Sequence, residues 1–293
     1  MDTIKKIAIT TDTNSGMIPH ETDGQGIFVL PMPFIIDGEE HLEYVDLSAQ
    51  TFYEKLISDV NISTSQPSVA EVTEFWTEIL KEYDQIVHIP TSSELSASCA
   101  TATALAKDFN GKVFVVDNHR ISIALKTSVY DAATLREQGK SAQEIKESLE
   151  QSSSDYSVYF SLESMKYLKK GGRISPAAAA IGGILKLRPV LLLNGGALGK
   201  FALPRTLAKA KETMISAVIN DLSGKFKEYA DKGEMKLCIA HANNPDDAAL
   251  LKSEVEKRIP GVEVIYSDPI SLSIACHTGP GTLSLACMRT IKS

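Results

Sequence analysis

The stretch Ile7-Ala8-Ile9-Thr10-Thr11-Asp12-Thr13-Asn14-Ser15-Gly16 predicts a buried strand that ends in a polar turn. Capping boxes at Ser68 and Ser141 mark the starts of two helices. Strands that alternate with helices are typical of a parallel sheet covered by helices on both faces. The first half is therefore predicted to be an α/β domain. Its further strands are expected at 26–31, 85–89 and 112–116, and its helices at 48–58, 68–83, 96–107, 121–137 and 142–151.

The second half has a different pattern, in which strands follow one another with fewer helices between them. Residues 189–193 and 197–203 flank Asn194-Gly195-Gly196, which predicts a hairpin. We therefore expect an α+β domain with a mostly antiparallel sheet. The polar stretch 151–155 divides the chain into domains 1–155 and 156–293, with a ligand site between them. The other predicted elements here are strands at 157–161, 236–240, 262–266 and 283–289, and helices at 176–187, 205–232 and 246–258.

Composition excludes several classes of function. The chain has 293 residues, a net charge of −7 and a pI of about 5.5, so a phosphate-neutralising surface for nucleic acid is not expected. The apolar stretch 174–193 is interrupted by Lys186, Arg188 and Pro189 and predicts no transmembrane segment. We see no signal peptide. The irregularly spaced cysteines predict neither zinc nor disulfides, and they favour a reduced, cytoplasmic location; they are Cys99, Cys238, Cys276 and Cys287.

Short polar side chains follow three of the predicted parallel strands. Ligands of such sheets bind beyond the carboxyl ends of the strands, and this edge could form a polar ligand site. The same residue types also cap helices and form turns, and both interpretations stay open. The side chains are Asp12, Thr13, Asn14 and Ser15, then Thr91, Ser92, Ser93 and Ser96, and then Asp117 and Asn118.

Two glycine-containing segments carry further candidates. In 168–176 the glycine pair and Arg173 directly precede a predicted helix start, where an anion is favoured. In the second segment, His277 precedes Thr278-Gly279-Pro280-Gly281, a tight turn that would aim the imidazole. His277 could donate to an oxyanion or act as a base. A nucleophilic pair with Cys276 is disfavoured, because neighbours in a strand point to opposite faces. No nucleophile elbow, P-loop or complete dinucleotide fingerprint is present.

These motifs, in this order and over essentially the whole chain, resemble those of the DegV family. Its members are bacterial fatty-acid-binding proteins that serve as carrier subunits of fatty acid kinase. The resemblance rests on the first strand with Asp12, on Thr64-Ser65-Gln66-Pro67-Ser68, on Ser92-Ser93-Glu94-Leu95-Ser96, on Val115-Val116-Asp117, on 167–175 with 186–189, and on His277-Thr278-Gly279-Pro280-Gly281.

The resemblance implies two domains with a long-chain fatty acid between them. It places the carboxylate on Thr64 with Ser65 beside it, on Ser96 with the N–H of Ala97, and on His277. It assigns Arg173 to acyl-phosphate handling with a separate ATP-dependent kinase, which phosphorylates the bound acid. The carrier itself would have no catalytic residue, metal or cofactor. We also expect transient membrane contact for lipid exchange.

The sequence departs from the family pattern in two places. Leu95-Ser96-Ala97-Ser98 stands where members usually have Leu-Ser-Gly-Thr, and the usual glycines after Asp117 are missing. Ala97 still provides an N–H, but it is expected to restrict the backbone and to add a methyl group near the head group. The missing glycines are expected to alter the shape of the pocket and hence the preferred chain length or saturation. The sequence leaves two alternatives open: a hydrolase of acyl esters that uses Ser96 and His277, and a carrier of another apolar acid such as a retinoid or isoprenoid acid.

Overall fold

A computed structural model describes residues 5–58, 60–172, 187–195 and 197–291. Thirteen strands in these ranges form sheets of four, six and three strands. The strands are β1 (Ile7–Asp12), β2 (Ile27–Leu30), β3 (Pro33–Ile36), β4 (Glu39–Leu42), β5 (Ile62–Thr64), β6 (Gln85–Ile89), β7 (Val113–Val115), β8 (Tyr156–Ser161), β9 (Val190–Asn194), β10 (Ala197–Ala202), β11 (Met235–His241), β12 (Val264–Pro269) and β13 (Leu283–Arg289).

Ten α-helices lie in the same part of the chain. The helix predicted over 176–187 falls, apart from Leu187, outside the described residues, and so does Arg173. The helices are α1 (Ala49–Ile57), α2 (Val69–Ile79), α3 (Ser98–Leu105), α4 (Ile123–Glu137), α5 (Ala142–Gln151), α6 (Lys166–Gly171), α7 (Leu207–Ser223), α8 (Lys227–Asp231), α9 (Pro245–Arg258) and α10 (Leu272–Thr278).

The four-stranded sheet has the order β2-β1-β6-β7, and every neighbouring pair is parallel. Its central strands are buried along their whole length, as expected for a sheet with two covered faces. Ile9 belongs to the core shared with α4 and α5, whereas its neighbour Ala8 belongs to the core shared with α2 and α3. This alternation confirms the predicted α/β half with helices on both faces.

The six-stranded sheet has the order β10-β9-β8-β13-β11-β12 and is antiparallel except between β11 and β12. Helices α7 and α9 cover one face, where Met214 and Leu251 pack in a core with Leu237 and Leu285. The predicted α+β half with a mostly antiparallel sheet is thus confirmed. The strands of this sheet begin at Tyr156, although the exact domain boundary at 155 stays a prediction.

The other face of the six-stranded sheet packs against the first half of the chain. Phe160 and Leu193 of this face share one core with Phe34 of β3, Phe52 of α1 and Leu272 of α10. The small antiparallel sheet β4-β3-β5 supplies part of this contact. Neither this sheet nor α6 and α10 was predicted from the sequence, and these are the elements that surround the candidate site.

Three sequence predictions need correction. Cys276 and His277 lie in helix α10 and not in a strand, so their side chains are about 100° apart around a helix axis rather than on opposite faces. The helix predicted over 205–232 is two helices, because the chain leaves helical geometry at Gly224 (φ −110°, ψ −105°). The strand predicted at 262–266 begins at Val264 and continues to Pro269.

Candidate functional site

A cavity of about 360 Å³ lies between the two halves of the chain. Its floor includes Asn14 and Thr91, which follow β1 and β6 at the carboxyl edge of the parallel sheet. Its opposite wall includes Val158 and Phe160 of β8 in the six-stranded sheet. The cavity is therefore built where the two sheets face one another, and it falls within the range typical of small-molecule sites.

Most of the cavity wall is apolar. Leu95, Ile121, Leu193, Leu198 and Ile274 line it from five different segments. Two polar lining residues donate their hydroxyl protons to main-chain carbonyl oxygens. Ser284 Oγ donates to Ala240 O at 3.0 Å, and Thr282 Oγ1 donates to Gly279 O at 2.9 Å. The body of the cavity thus suits a long apolar chain.

A cluster of polar side chains closes one part of the cavity. Thr64, at the end of β5, and His277, near the end of α10, are 3.0 Å apart between Oγ1 and Nε2. These residues are 213 positions apart in the sequence. Antiparallel pairing places Thr64 opposite the buried Phe34, which fixes the strand that carries the hydroxyl. Helix and strand together present a hydroxyl and an imidazole to the same space.

Ser65, Ser96 and Ala97 lie on the wall of the same cavity. Ser96 Oγ accepts hydrogen bonds from the N–H of Ser98 at 3.2 Å and from its hydroxyl at 2.9 Å. The hydroxyl proton of Ser96 is used in neither of these bonds. Ala97 caps the N-terminus of α3, where main-chain N–H groups have no partner within the helix. The structure thus brings together Thr64, Ser65, Ser96, Ala97 and His277.

Alanine at position 97 causes no backbone strain. Ala97 has φ −73° and ψ −7°, a conformation open to any L-residue.

The stretch after β7 differs, because Ser122 has φ 57° and ψ −140°, a region that non-glycine residues rarely occupy. Ser122 and its neighbours Ile121 and Ile123 line the cavity. The backbone is therefore strained at Ser122 in the cavity wall.

The two glycine-containing segments pack directly against each other. A Cβ added to Gly171 would lie 2.0 Å from Nδ1 of His277, and one added to Gly279 would lie 2.2 Å from Cδ2 of Tyr167. Gly279 also has φ +79°. Helix α6 and the end of α10 thus meet at two glycines, and the imidazole of His277 packs directly against the main chain of Gly171.

The polar sheet edge serves two purposes. Asn14, Thr91 and Ser96 line the cavity, but Asp12 is buried beneath it and accepts from the N–H groups of Thr91 at 2.9 Å and Asn14 at 3.0 Å. Burial raises the pKa of Asp12, although these hydrogen bonds oppose the shift. Asn118 Nδ2 donates to Ser128 Oγ at 2.7 Å. Asp12 and Asn118 thus hold the fold, while their neighbours face the cavity.

Sequence reasoning missed Glu43, which is fully buried beside the site. One carboxyl oxygen accepts from the N–H of Leu272 at the start of α10, and the other accepts from Thr13 Oγ1. Burial raises the pKa of Glu43 to about 8, and the nearby charge of Asp12 adds to the shift. Glu43 therefore anchors the helix that carries His277. The exposed Glu39 and Glu40 precede it, and no local pattern distinguishes it from them.

The structure also bears on Cys276, on metal binding and on membrane-spanning helices. Cys276 is buried, and its Sγ lies 4.0 Å from Ile62 O, which is a packing position. Among the described residues, no three His, Cys, Asp or Glu side chains are grouped as metal ligands. In that same part of the chain, no helix combines the length and apolar character needed to cross a bilayer.

Residues 6–290 match the family model described as uncharacterised protein, DegV family. The chain belongs to the DegV family. A DegV domain-containing protein of Clostridium perfringens is 31% identical over 290 residues, which cover 96% of this chain and 97% of the relative. The resemblance inferred from the sequence motifs is therefore confirmed.

Solved structures of DegV proteins share this fold. A DegV family protein from Thermus thermophilus, whose structure is described as showing fatty acid binding, has a TM-score of 0.84 at 27% identity and covers 97% of this chain and 99% of its own. DegV from Bacillus subtilis, described as a fatty acid binding protein, has a TM-score of 0.82 at 28% identity, with 98% and 100% coverage. Both neighbours are thus described as binding fatty acids.

Proposed function

We propose that this DegV protein binds a long-chain fatty acid in the cavity between its two halves and presents the carboxylate to a separate ATP-dependent kinase. The observation that carries the proposal is the composition of the cavity wall. A cavity of about 360 Å³ with a mostly apolar wall is also lined by the hydroxyls of Thr64 and Ser96 and by the imidazole of His277. The descriptions of the Thermus thermophilus and Bacillus subtilis relatives support it.

The apolar body of the cavity would supply most of the affinity. Each buried CH₂ contributes ~0.8 kcal/mol, so a sixteen-carbon chain contributes on the order of 10 kcal/mol before the costs of binding. A hydrogen bond to a charged group contributes ~1.5–3 kcal/mol. The tail therefore determines how tightly the acid binds, and the polar end determines which way round it binds.

The polar end would hold a carboxylate without neutralising it. Thr64, Ser65, Ser96 and His277, with the N–H of Ala97, line it, and hydroxyl and N–H groups donate without forming an ion pair. A carboxylate held in this way keeps its charge and remains a nucleophile. We assign Arg173 to handling of the acyl phosphate with the kinase, and the protein alone performs no turnover. Location in the cytoplasm and brief membrane contact for lipid exchange stay predictions.

The decisive experiment is mass spectrometry of lipid extracted from the purified protein. A long-chain fatty acid in about equimolar amount supports the proposal and reports chain length and unsaturation. Recovery of a retinoid or isoprenoid acid would favour the alternative carrier, and recovery of no lipid from protein that also fails to bind added palmitic acid would refute lipid binding.

The hydrolase alternative has its own test. The protein is incubated with a chromogenic acyl ester, alongside Ser96→Ala. We expect no sustained turnover from either protein. Turnover by the wild type that disappears in Ser96→Ala would establish a hydrolase, because a serine nucleophile is then required. Turnover that persists in Ser96→Ala would indicate a contaminant or another nucleophile.

A further inference from the structure

A second, smaller cavity of about 120 Å³ lies on the other side of the Thr64–His277 pair. Thr64 and His277 line both this cavity and the large apolar one. The small cavity is formed between α6, α10, β5 and the end of α1. The hydroxyl and the imidazole therefore form a partition, with the apolar cavity on one side and the small cavity on the other.

The small cavity is positively charged. Among the described residues that line it, the charged side chains are those of Lys166 and Lys170, and none of these residues carries a carboxylate. The two lysines are four positions apart on α6 and so lie on the same face of that helix. The chain as a whole carries a net charge of −7. The two lysines are therefore a local exception, and their positive charge favours the binding of an anion.

We propose that this small cavity is a subsite for a phosphoryl group, formed by Lys166 and Lys170 next to the carboxylate end of the fatty-acid cavity. The inference rests on the proposed function. The volume of the small cavity is several times the ~30 Å³ of a water molecule, which leaves room for a tetrahedral PO₃ group. Lysine binds phosphate as a compact point charge with three donors.

The chemistry of the transfer leaves the phosphoryl group directly next to the carboxylate end of the fatty acid. A carboxylate oxygen attacks the γ-phosphorus of ATP held by the kinase, and the bond from that phosphorus to the bridging oxygen breaks. ADP leaves with the electron pair, and the product is an acyl phosphate, a mixed anhydride whose phosphoryl group carries two negative charges. With the tail in the apolar cavity and the carbonyl at Thr64 and His277, the phosphoryl group extends toward Lys166 and Lys170.

The test compares two ligands that share a tail. One is palmitic acid, and the other is the β-ketophosphonate analogue of palmitoyl phosphate, in which CH₂ replaces the bridging oxygen. Dissociation constants are measured with delipidated full-length protein for the wild type, Lys170→Met and Lys166→Met/Lys170→Met. Lys169→Met is the matched control for Lys170→Met, because Lys169 lies on the same helix and is exposed but does not line the cavity.

We expect the double variant to weaken ketophosphonate binding at least tenfold more than palmitic acid binding. Lys169→Met should alter the ratio of the two dissociation constants by less than twofold. Equal weakening of both ligands would overturn the subsite, as would equal effects of Lys169→Met and Lys170→Met, or no effect at all. Failure of the wild type to bind palmitic acid would instead refute the proposed function.

Discussion

Replacing Gly171 by alanine would place a methyl carbon 2.0 Å from Nδ1 and 2.8 Å from Cε1 of His277. Cβ atoms essentially never approach another heavy atom closer than 3.0 Å, so the imidazole and the main chain of Gly171 must separate by about 1 Å, and the His277 side chain is the part that moves more easily. The bond from its Nε2 to Thr64 Oγ1 is 3.0 Å long, and a ring displaced by that distance either collides with Thr64 or loses the bond. One methyl group thus disturbs the proposed carboxylate site without changing any polar residue.

The affinity for palmitic acid should fall by ~1–3 kcal/mol, the value of a misplaced donor to a charged group, or about 5- to 150-fold in dissociation constant. Alanine elsewhere in a helix is usually more favourable than glycine by ~1 kcal/mol. A loss of binding by a folded variant therefore reports the collision with the imidazole. Isothermal titration of delipidated protein measures the affinity, and thermal melts establish that the variant is folded.

Two further variants make the result decisive. Gly261→Ala is the control for the substitution itself, because no heavy atom lies within 4 Å of its added Cβ, and it should bind normally. In a His277→Ala background the ring is absent, so Gly171→Ala should cost no further affinity. Normal binding by Gly171→Ala, or additive losses in the double variant, would show that the packing of Gly171 on the imidazole has no part in ligand binding.

The other predictions concern single side chains. Ser96→Ala and His277→Ala should each weaken fatty-acid binding by ~1–3 kcal/mol, and an unchanged dissociation constant with unchanged acyl-phosphate formation would contradict this. Arg173→Ala should leave lipid binding intact and lower kinase-coupled phosphorylation; a collapse of binding would refute the division of roles. Because the pKa of Glu43 is raised from 4.5 to about 8, the stability it contributes is complete below about pH 4.5 and is lost as the pH rises to about 8. The side chain of Glu43→Gln stays neutral at every pH. In that window the variant's free energy of unfolding, measured in urea, should therefore rise relative to that of the wild type by up to ~1.4 kcal/mol per pH unit. A difference between the two free energies that does not change with pH would exclude Glu43 as the titrating group.

The regular elements could be predicted because their signals are local. Strand β6 occupies the predicted residues 85–89, and α5 begins after the predicted capping box at Ser141. In both cases a buried apolar run or a cap lies within a few residues of the element that it determines. The two sheet types followed from the order of these elements along the chain.

Helix α10 could not be predicted in the same way. A local signal precedes its seven residues, since Ser271 Oγ accepts from the N–H of Ile274, but so short a helix is not stable on its own. Long-range contacts hold it in place, among them the bond from the N–H of Leu272 to Glu43, 229 positions away. No short window of sequence contains both partners of this bond. The interpretation of Cys276 and His277 as strand residues was therefore wrong, because the sequence around them does not distinguish a short helix from a short strand.

The candidate site illustrates the same limit. The family motifs indicated Thr64, Ser96 and His277, and the structure lines one cavity with all three. Composition could not indicate that Gly171 must lack a side chain because of His277, since glycine at a helix end has an ordinary local explanation as a cap. The small basic cavity beside Lys166 and Lys170 likewise depends on how α6 meets β5 and α10.

The orientation of His277 follows from constraints that come from three parts of the chain. Thr64 bonds to Nε2, Gly171 contacts the ring edge at Nδ1, and Glu43 holds the first N–H of α10. Each constraint removes a different freedom of the same imidazole, so their effects on ligand binding cannot be independent. Variants of these residues should therefore lose most of their individual cost once His277 is removed, whereas Ser96, on a separate helix N-terminus, should keep its own. Such a pattern of coupling would separate a positioned imidazole from a set of residues that merely line the same cavity.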